Sequence, residues 1–234
     1  MSDWAPKRFW KEVTVTAGEG GHSVALDGRP VRTPVKRPLV LPTEAMAHMV
    51  AAEWDAQVEK VDPSTMPVTR GANAAIDKVA LQHAEVAEML AAYGDSDLLC
   101  YRAEAPQELV SRQAEGWDPL LDWAAAEFGG RLQAQTGVMH QPQDAAVLAP
   151  MTQAVHQMSP FQLAAFHDLV SLSGSLVLGF AAARNARDID TLWALSRIDE
   201  DWQAEQWGED EEAAEAAGIK RQSFLDAKRF FDAS

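Results

Sequence analysis

The chain has 234 residues, of which 47% are apolar, and its 35 Asp and Glu outnumber its 20 Lys and Arg to give a net charge of −15. The apolar fraction is sufficient for a hydrophobic core and excludes a wholly disordered chain. The negative charge argues against binding to nucleic acid and to an anionic membrane surface, because both attract positively charged proteins.

The N-terminal part of the chain has the sequence pattern of a small antiparallel sheet covered by a helix. Residues 9–41 contain short runs that alternate apolar and polar side chains, separated by turns rich in Gly and Pro. Residues 43–59 change to the helical period, and Thr43 is placed to cap this helix. The side chains expected on its buried face are Met46, Met49, Val50 and Trp54.

The rest of the chain is predicted to be helical. Residues 61–67 contain two prolines and predict a linker, so we expect a small α/β domain at residues 1–68 and a helical domain at residues 69–234. The fold class is therefore α+β, with a small N-terminal antiparallel sheet, a covering helix and a larger all-helical domain. The predicted helices span residues 69–93, 106–128 with an interruption at Pro119, 150–158, 160–186, 188–217 and 219–233.

The most apolar stretch runs from Asp168 to Arg184 and has no ionisable side chain between these two residues. It is shorter than the span of about 20 apolar residues that a transmembrane helix needs, so no membrane insertion is expected. We predict instead a buried helix at the centre of the helical domain. Two rows of side chains recur at four-residue spacing, a large one (Leu172, Leu176, Phe180) and a small one (Ser171, Ser175, Gly179, Ala183).

Side chains that could support catalysis or metal binding are sparse. The single cysteine, Cys100, excludes an intrachain disulfide and a multi-thiolate zinc site, and its apolar neighbours favour an inert thiol. The six histidines are scattered and the sequence contains no phosphate-binding glycine loop, so we predict neither a metal nor a cofactor. An enzyme with an acidic pocket that uses Asp95, Asp97 or His167 remains an alternative.

An acidic, tryptophan-containing stretch is the strongest candidate for function. Residues 199–215 contain nine acidic side chains and no basic one. On a continuous helix, Glu200, Trp207 and Glu211 would share one face. The stretch is either an acidic surface helix whose tryptophans belong to the core, or a recognition surface for Arg and Lys of a partner. In the second case the predicted partner-binding residues are Glu200, Trp202, Gln203, Trp207, Asp210 and Glu211.

Several short motifs, taken in their order along the chain, resemble one known family. They are Arg8–Val13 (RFWKEV), Leu26–Pro34 (LDGRPVRTP), Glu53–Gln57 (EWDAQ), Met66–Thr69 (MPVT), Asp95–Arg102 (DSDLLCYR), Trp117–Leu120 (WDPL) and Trp207–Glu211 (WGEDE). With these motifs the chain is similar to the F1 ATP synthase assembly chaperones of mitochondria and α-proteobacteria, of the type that handles the F1 α subunit. The resemblance covers nearly the whole chain.

The resemblance implies a chaperone that is not an enzyme. Such a protein binds the unassembled α subunit and prevents its aggregation until the β subunit takes its place. In the family a glutamate after the Trp-Gly pair is tied to function, and it falls on Glu211 here. The family often has Phe at the position of Trp202 and His at that of Ala214, so the chain departs from it at two places.

The location and the assembly state are expectations of the same kind. The sequence begins without an apolar or Arg- and Ser-rich leader, which favours a cytoplasmic protein or one whose leader has been removed. Within the family this suits a bacterial member in the cytoplasm; eukaryotic relatives would act in the mitochondrial matrix. We expect a monomer. A helical adaptor for another basic partner is a further alternative.

Overall fold

The computed structural model describes residues 7–234 and begins with a small antiparallel sheet. Its strands are β1 (Val13–Gly18), β2 (Gly21–Leu26), β3 (Arg29–Pro30) and β4 (Val40–Leu41). Strand β2 pairs with all three others, and β1 runs beside it in a register that places Val13 opposite Leu26. The turn from β2 to β3 is Asp27-Gly28, and both residues have positive φ, as a tight hairpin turn requires.

Helix α1 (Glu44–Asp55) covers this sheet, as the sequence predicts. Thr43 caps it, because its hydroxyl oxygen accepts the N–H of Met46 at 3.1 Å. Met46 and Val50 are fully buried, and Trp54 packs against the same core. The predicted fold class is confirmed, since helices form most of the chain that follows.

The chain divides into two compact units. Unit 1 is Met1–His83, Ser159–Ala165 and Arg229–Ser234; unit 2 is Ala84–Met158 and Phe166–Lys228. The division therefore follows His83 and not residue 68, because residues on both sides of that predicted boundary are buried in the core of unit 1 (Val61, Met66, Val68, Ala72). The predicted linker contains a 3₁₀ turn, Pro63–Thr65, capped by Asp62. Residues 1–6 of the predicted first domain lie outside the described residues.

The predicted helices at residues 69–93, 160–186 and 188–217 are each divided in the structure, whereas the interruption predicted within α4 (Gln107–Phe128) is absent. The predicted helix at residues 69–93 is two helices separated by a 3₁₀ turn, Val79–Leu81. Helix α4 continues through Pro119; Glu115, whose carbonyl loses its helical partner to the proline, is on the exposed face. The helices are α2 (Pro67–Asp77), α3 (His83–Ala91), α4 (Gln107–Phe128), α5 (Ala145–His156), α6 (Pro160–Ser173), α7 (Leu176–Ala183), α8 (Ile189–Ser196), α9 (Ile198–Trp207) and α10 (Glu211–Asp232).

The apolar stretch from Asp168 to Arg184 is buried as predicted, but it is not one helix. Helix α6 ends at Ser173, Gly174 has a φ of +71°, and α7 begins after Ser175. The Ser175 hydroxyl oxygen accepts the N–H of Leu178 at 2.9 Å and caps α7. The two predicted rows of side chains are therefore split between two helices. Within residues 7–234, none of the helices has the length and apolar character needed to cross a membrane.

A buried carboxylate, Asp97, fixes this break in the apolar stretch. Its Oδ2 accepts the N–H of Val177 and its Oδ1 accepts the N–H of Leu99, both at 3.0 Å. The Ser175 hydroxyl also donates to it. Asp97 thus satisfies a backbone donor in the first turn of α7 that has no intrahelical partner.

Two short parallel strands complete unit 2. They are β5 (Tyr101–Arg102) and β6 (Gln135–Thr136), and Gly137 donates its N–H to the Arg102 carbonyl just beyond them. These strands carry the loops that form one wall of the site described next.

Candidate functional site

The acidic stretch that carries the predicted site is divided between two helices. Gly208, with a φ of +95°, ends α9, and Asp210 caps α10 by accepting the N–H of Ala213 at 3.0 Å. The prediction of one helix over residues 188–217 is therefore wrong. Glu211 begins a new helix and does not share a helical face with Glu200 and Trp207.

Helix α9 is held against α4 by a charged side-chain cluster. The Arg112 guanidinium donates to both carboxylate oxygens of Glu205 at 2.8 Å and lies 5.0 Å from the ring centroid of Trp202. This hydrogen bond with Arg112 lowers the pKa of Glu205 below its usual value. Because the pair is half exposed, we expect it to orient Trp202 more than to stabilise the fold.

A buried glutamine joins α9 to the loop after β5. Gln113 of α4 accepts the N–H of Ala103 through Oε1 at 2.9 Å, and its Nε2 donates to Asp199 at 2.6 Å. Its side chain is almost fully buried. Gln113 thereby fixes the distance between the loop and the helix.

An open groove of about 580 Å³ lies between this loop and α9, and we call it the α9 groove. Three of the six predicted residues line it: Trp202, Gln203 and Trp207. The sequence did not predict the other lining residues. The available signal was Val138, which forms an apolar pair with Met139 in the polar connector at residues 131–143. The full lining is residues 101–106, Leu109, Gln113, Gly137, Val138, Asp199, Trp202, Gln203 and Trp207.

The apolar side chains at this groove are unusually exposed. Trp207 is 79% exposed and Val138 is 89% exposed, and Met139 next to it is 78% exposed. Because Trp207 and Val138 line the same groove, their exposed apolar surface is available to a partner. The tryptophans of α9 are therefore not core residues, which favours the second of the two interpretations of the acidic stretch.

The charge around the groove is negative. Unit 1 contains 11 Lys and Arg and 11 Asp and Glu, whereas unit 2 contains 9 and 24, so the net charge of −15 belongs to unit 2. Arg102 is the basic residue of the groove lining, and it is bound to Asp118 at 2.8 Å and to the carbonyl of Leu99. Glu104 and Asp199 supply negative charge to the lining.

The other three predicted residues do not line the groove. Glu200 pairs with Arg197 at 2.8 Å, and Asp210 is the cap of α10. Glu211 is exposed in the first turn of α10 and forms no ion pair or side-chain hydrogen bond with any of residues 7–234. Its place at the positive end of the helix dipole stabilises its charge.

The residues proposed for an acidic catalytic pocket do not line this groove. Asp95 accepts the N–H of Gln143 at 2.7 Å, and His167 is paired with its neighbour Asp168 at 2.9 Å, which raises the pKa of His167. Cys100 is buried, and burial raises the pKa of its thiol to about 12. No group of three metal-ligating side chains occurs within residues 7–234.

The pH dependence of stability should reveal the buried carboxylate. Burial raises the pKa of Asp97 to about 6, above its value of 3.8 when exposed. Between these two pKa values the folded protein binds more protons than the unfolded chain. The contribution of Asp97 to the free energy of unfolding therefore rises as the pH falls. We expect the stability of the wild type relative to Asp97→Asn to increase by about 1 kcal/mol from pH 7 to pH 5. Urea unfolding at both pH values measures it, and a constant difference would contradict the raised pKa.

Known proteins resemble the chain over almost all of its length. The family model described as ATP12 chaperone protein matches residues 7–125. The crystal structure of Atp12 from Paracoccus denitrificans has 52% identity and a TM-score of 0.95, and covers 97% of this chain and 98% of that one. An aspartate-to-lysine mutant of the same protein matches equally well, with 97% of each chain covered. The mitochondrial protein atp12 of Schizosaccharomyces pombe is 28% identical over an alignment of 227 residues, and the match covers 89% of this chain and 76% of that protein.

These relatives share a mixed α+β, mostly helical fold, and the family model describes a chaperone. The fold and the match to the family model thus define a chaperone of this class. The chain belongs to the ATP12 chaperone family, and its role is that of a chaperone in ATP synthase assembly.

Proposed function

We propose that this chain binds the unassembled α subunit of F1 ATP synthase, prevents its aggregation and releases it to the β subunit. The observation that carries the proposal is the exposed indole of Trp207 beside the α9 groove in an acidic unit. An unassembled subunit exposes apolar interface that would otherwise aggregate. A protein with its own exposed apolar groups and a high net charge can cover that surface and keep the complex in solution.

The mechanism needs no covalent chemistry. The negative charge of unit 2 accelerates encounter with basic patches of the α subunit, and a contact area limited to a few apolar side chains leaves release possible. The chain acts as a monomer in the bacterial cytoplasm in this proposal. An adaptor for another basic partner would use the same surface, and co-purification from a native extract separates the two: the proposal requires recovery of an ATP synthase subunit.

Glu211 is the acidic residue that we expect to contribute most to binding. Its carboxylate is exposed and unpaired among the described residues, so it can meet a cation of the α subunit without first losing an internal partner. We expect Glu211→Lys to weaken α-subunit binding by about tenfold at low salt, chiefly through slower association. Surface plasmon resonance at two salt concentrations and light scattering of the heated α subunit measure this effect.

Glu85→Lys is the matched control. Glu85 is also an exposed acid in the first turn of a helix, α3, so the reversal there carries the same cost to the helix dipole. The control variant should bind the α subunit as the wild type does. If Glu211→Lys and Glu85→Lys behave alike while both remain folded, Glu211 does not contact the α subunit.

A further inference from the structure

We infer that the α9 groove binds a short peptide segment that presents a large apolar side chain and a Lys or Arg close to each other. This inference rests on the proposed function, because the segment would belong to the α subunit. The volume of the groove, about 580 Å³, is within the range of sites that take a few side chains. It is too small for a folded surface to enter.

The apolar part of the segment is required by the walls of the groove. Leu109 and Val138 lie on one side and Trp202 and Trp207 on the other, and Val138 and Trp207 are largely exposed without a ligand. Covering these two side chains removes apolar surface from water, which contributes about 25 cal/mol for each Å². An apolar side chain from the partner is the group that gains from this contact.

The basic part of the segment is required by the charges and the aromatic rings. Glu104 is exposed, and among residues 7–234 the Asp199 carboxylate has Gln113 as its one side-chain partner, so the groove offers two carboxylates to a ligand. The guanidinium of Arg102 cannot offset them, because Asp118 and the Leu99 carbonyl hold it and it lies 5.3 Å from the ring of Trp117. Carboxylates beside an exposed indole form a site for Lys or Arg, which gains both ion pairing and cation–π attraction.

The frame of the groove is fixed before a ligand arrives. Gln113 holds Ala103 and Asp199 at a set distance, and Arg112 holds one face of the Trp202 ring. A preorganised site loses less entropy on binding than a mobile one. Trp207 lies at the end of α9, before Gly208, and its ring is the most exposed of the aromatic rings that line the groove.

The inference is tested with three labelled nine-residue peptides and fluorescence anisotropy. The probe is Gly-Ser-Gly-Leu-Phe-Arg-Gly-Ser-Gly, and the two comparison peptides replace its Phe by Ser or its Arg by Glu. We expect a Kd on the order of 100 µM for the probe, since it buries little area. Either replacement should weaken binding at least fivefold, and added salt should weaken binding of the probe.

Protein variants test whether the peptide binds in the groove. Val138→Ser and Glu104→Gln should each weaken binding of the probe about threefold to tenfold. Val58→Ser is the matched control for the first, because Val58 is 81% exposed in unit 1 and lies outside the groove. Glu85→Gln is the control for the second, and neither control should change binding.

Any one of four results would overturn the inference. If all three peptides bind equally, the groove does not recognise a segment with apolar and basic side chains. If the groove variants bind the probe as well as their controls, the peptide does not bind in the groove. If the wild type binds no peptide but still protects the heated α subunit, the inference is wrong and the proposed function stands. If sedimentation shows a dimer that Trp207→Ala dissociates, the occupant of the groove is a second copy of the chain.

Discussion

Asp97→Ala should lower the free energy of unfolding of unit 2 by about 2–4 kcal/mol. The substitution leaves two buried N–H groups and one hydroxyl without their acceptor, and each unsatisfied donor costs about 1–3 kcal/mol. Part of this loss is offset, because removal of a buried carboxylate, whose burial raises its pKa to about 6, relieves its desolvation penalty. The cost of the unsatisfied donors exceeds the relieved desolvation penalty, because one substitution removes the acceptor of three donors. Urea unfolding followed by circular dichroism measures the change.

Asp95→Ala is the control for this experiment. Asp95 lies two residues away and bonds the N–H of Gln143, but its side chain is partly exposed, so water can replace it. We expect a loss below about 1 kcal/mol. Equal losses for Asp95→Ala and Asp97→Ala would show that Asp97 does not hold the start of α7.

The elements that depend on local signals could be predicted from the sequence. The N-terminal sheet, the covering helix α1 and its cap at Thr43 follow from period-two alternation, helical period and a capping hydroxyl, all of which act within a few residues. The buried state of the stretch around α7 follows from composition alone. These features need no information from distant parts of the chain.

The helix breaks at Gly174 and Gly208 could not be placed in the same way. A glycine inside an apolar or acidic helical pattern is tolerated often enough that it does not by itself end a helix. At Gly174 the deciding group is Asp97, which lies about 80 residues earlier in the chain and reaches the N–H of Val177. At Gly208 the cap is Asp210, which the sequence singled out as a partner-binding residue and the structure assigns to α10.

The candidate site was predicted only in part, because most of its lining comes from residues that are distant in the sequence. The sequence singles out Trp202, Gln203 and Trp207, because two tryptophans within a run of acidic residues are unusual unless they pack in the core or bind a partner. The opposite wall comes from the loop after β5, from α4 and from the loop after β6, which are about 65–105 residues away in the sequence. Only packing brings Leu109 and Val138 to α9. The exposed pair Val138-Met139 shows that apolar residues in a polar connector are a useful signal.

The groove and the core of unit 2 are linked through α4. Gly116 of α4 lies so close to the next helices that a Cβ there would be 2.8 Å from side-chain atoms of both Leu195 and Ile198. The Trp117 indole donates to the Leu195 carbonyl at 2.8 Å one residue further on. The start of α9 is therefore set by core packing, whereas its end at Trp207 is exposed. This arrangement combines a fixed helix start with an accessible indole at the helix end.

Gly179→Leu should destabilise unit 2 by about 3 kcal/mol or more through overpacking. A Cβ at Gly179 would lie 2.6 Å from Cγ2 of Val170 and 3.3 Å from the ring of Phe166, and both of these side chains are fully buried. Because Val170 is branched at Cβ and Phe166 packs against Phe180, neither can move aside without opening the core. The better helix propensity of Leu, worth about 1 kcal/mol, does not offset this strain.

Gly218→Leu is the matched control, because Gly218 is an exposed helical glycine in α10 with no atom within 4 Å of an added Cβ. There the propensity gain acts alone, and the variant should be as stable as the wild type or slightly more stable. Thermal and urea unfolding measure the stability of both variants relative to the wild type. A Gly179→Leu protein as stable as the Gly218→Leu protein would mean that α6 and α7 can separate, and that the buried stretch is not the rigid centre of unit 2.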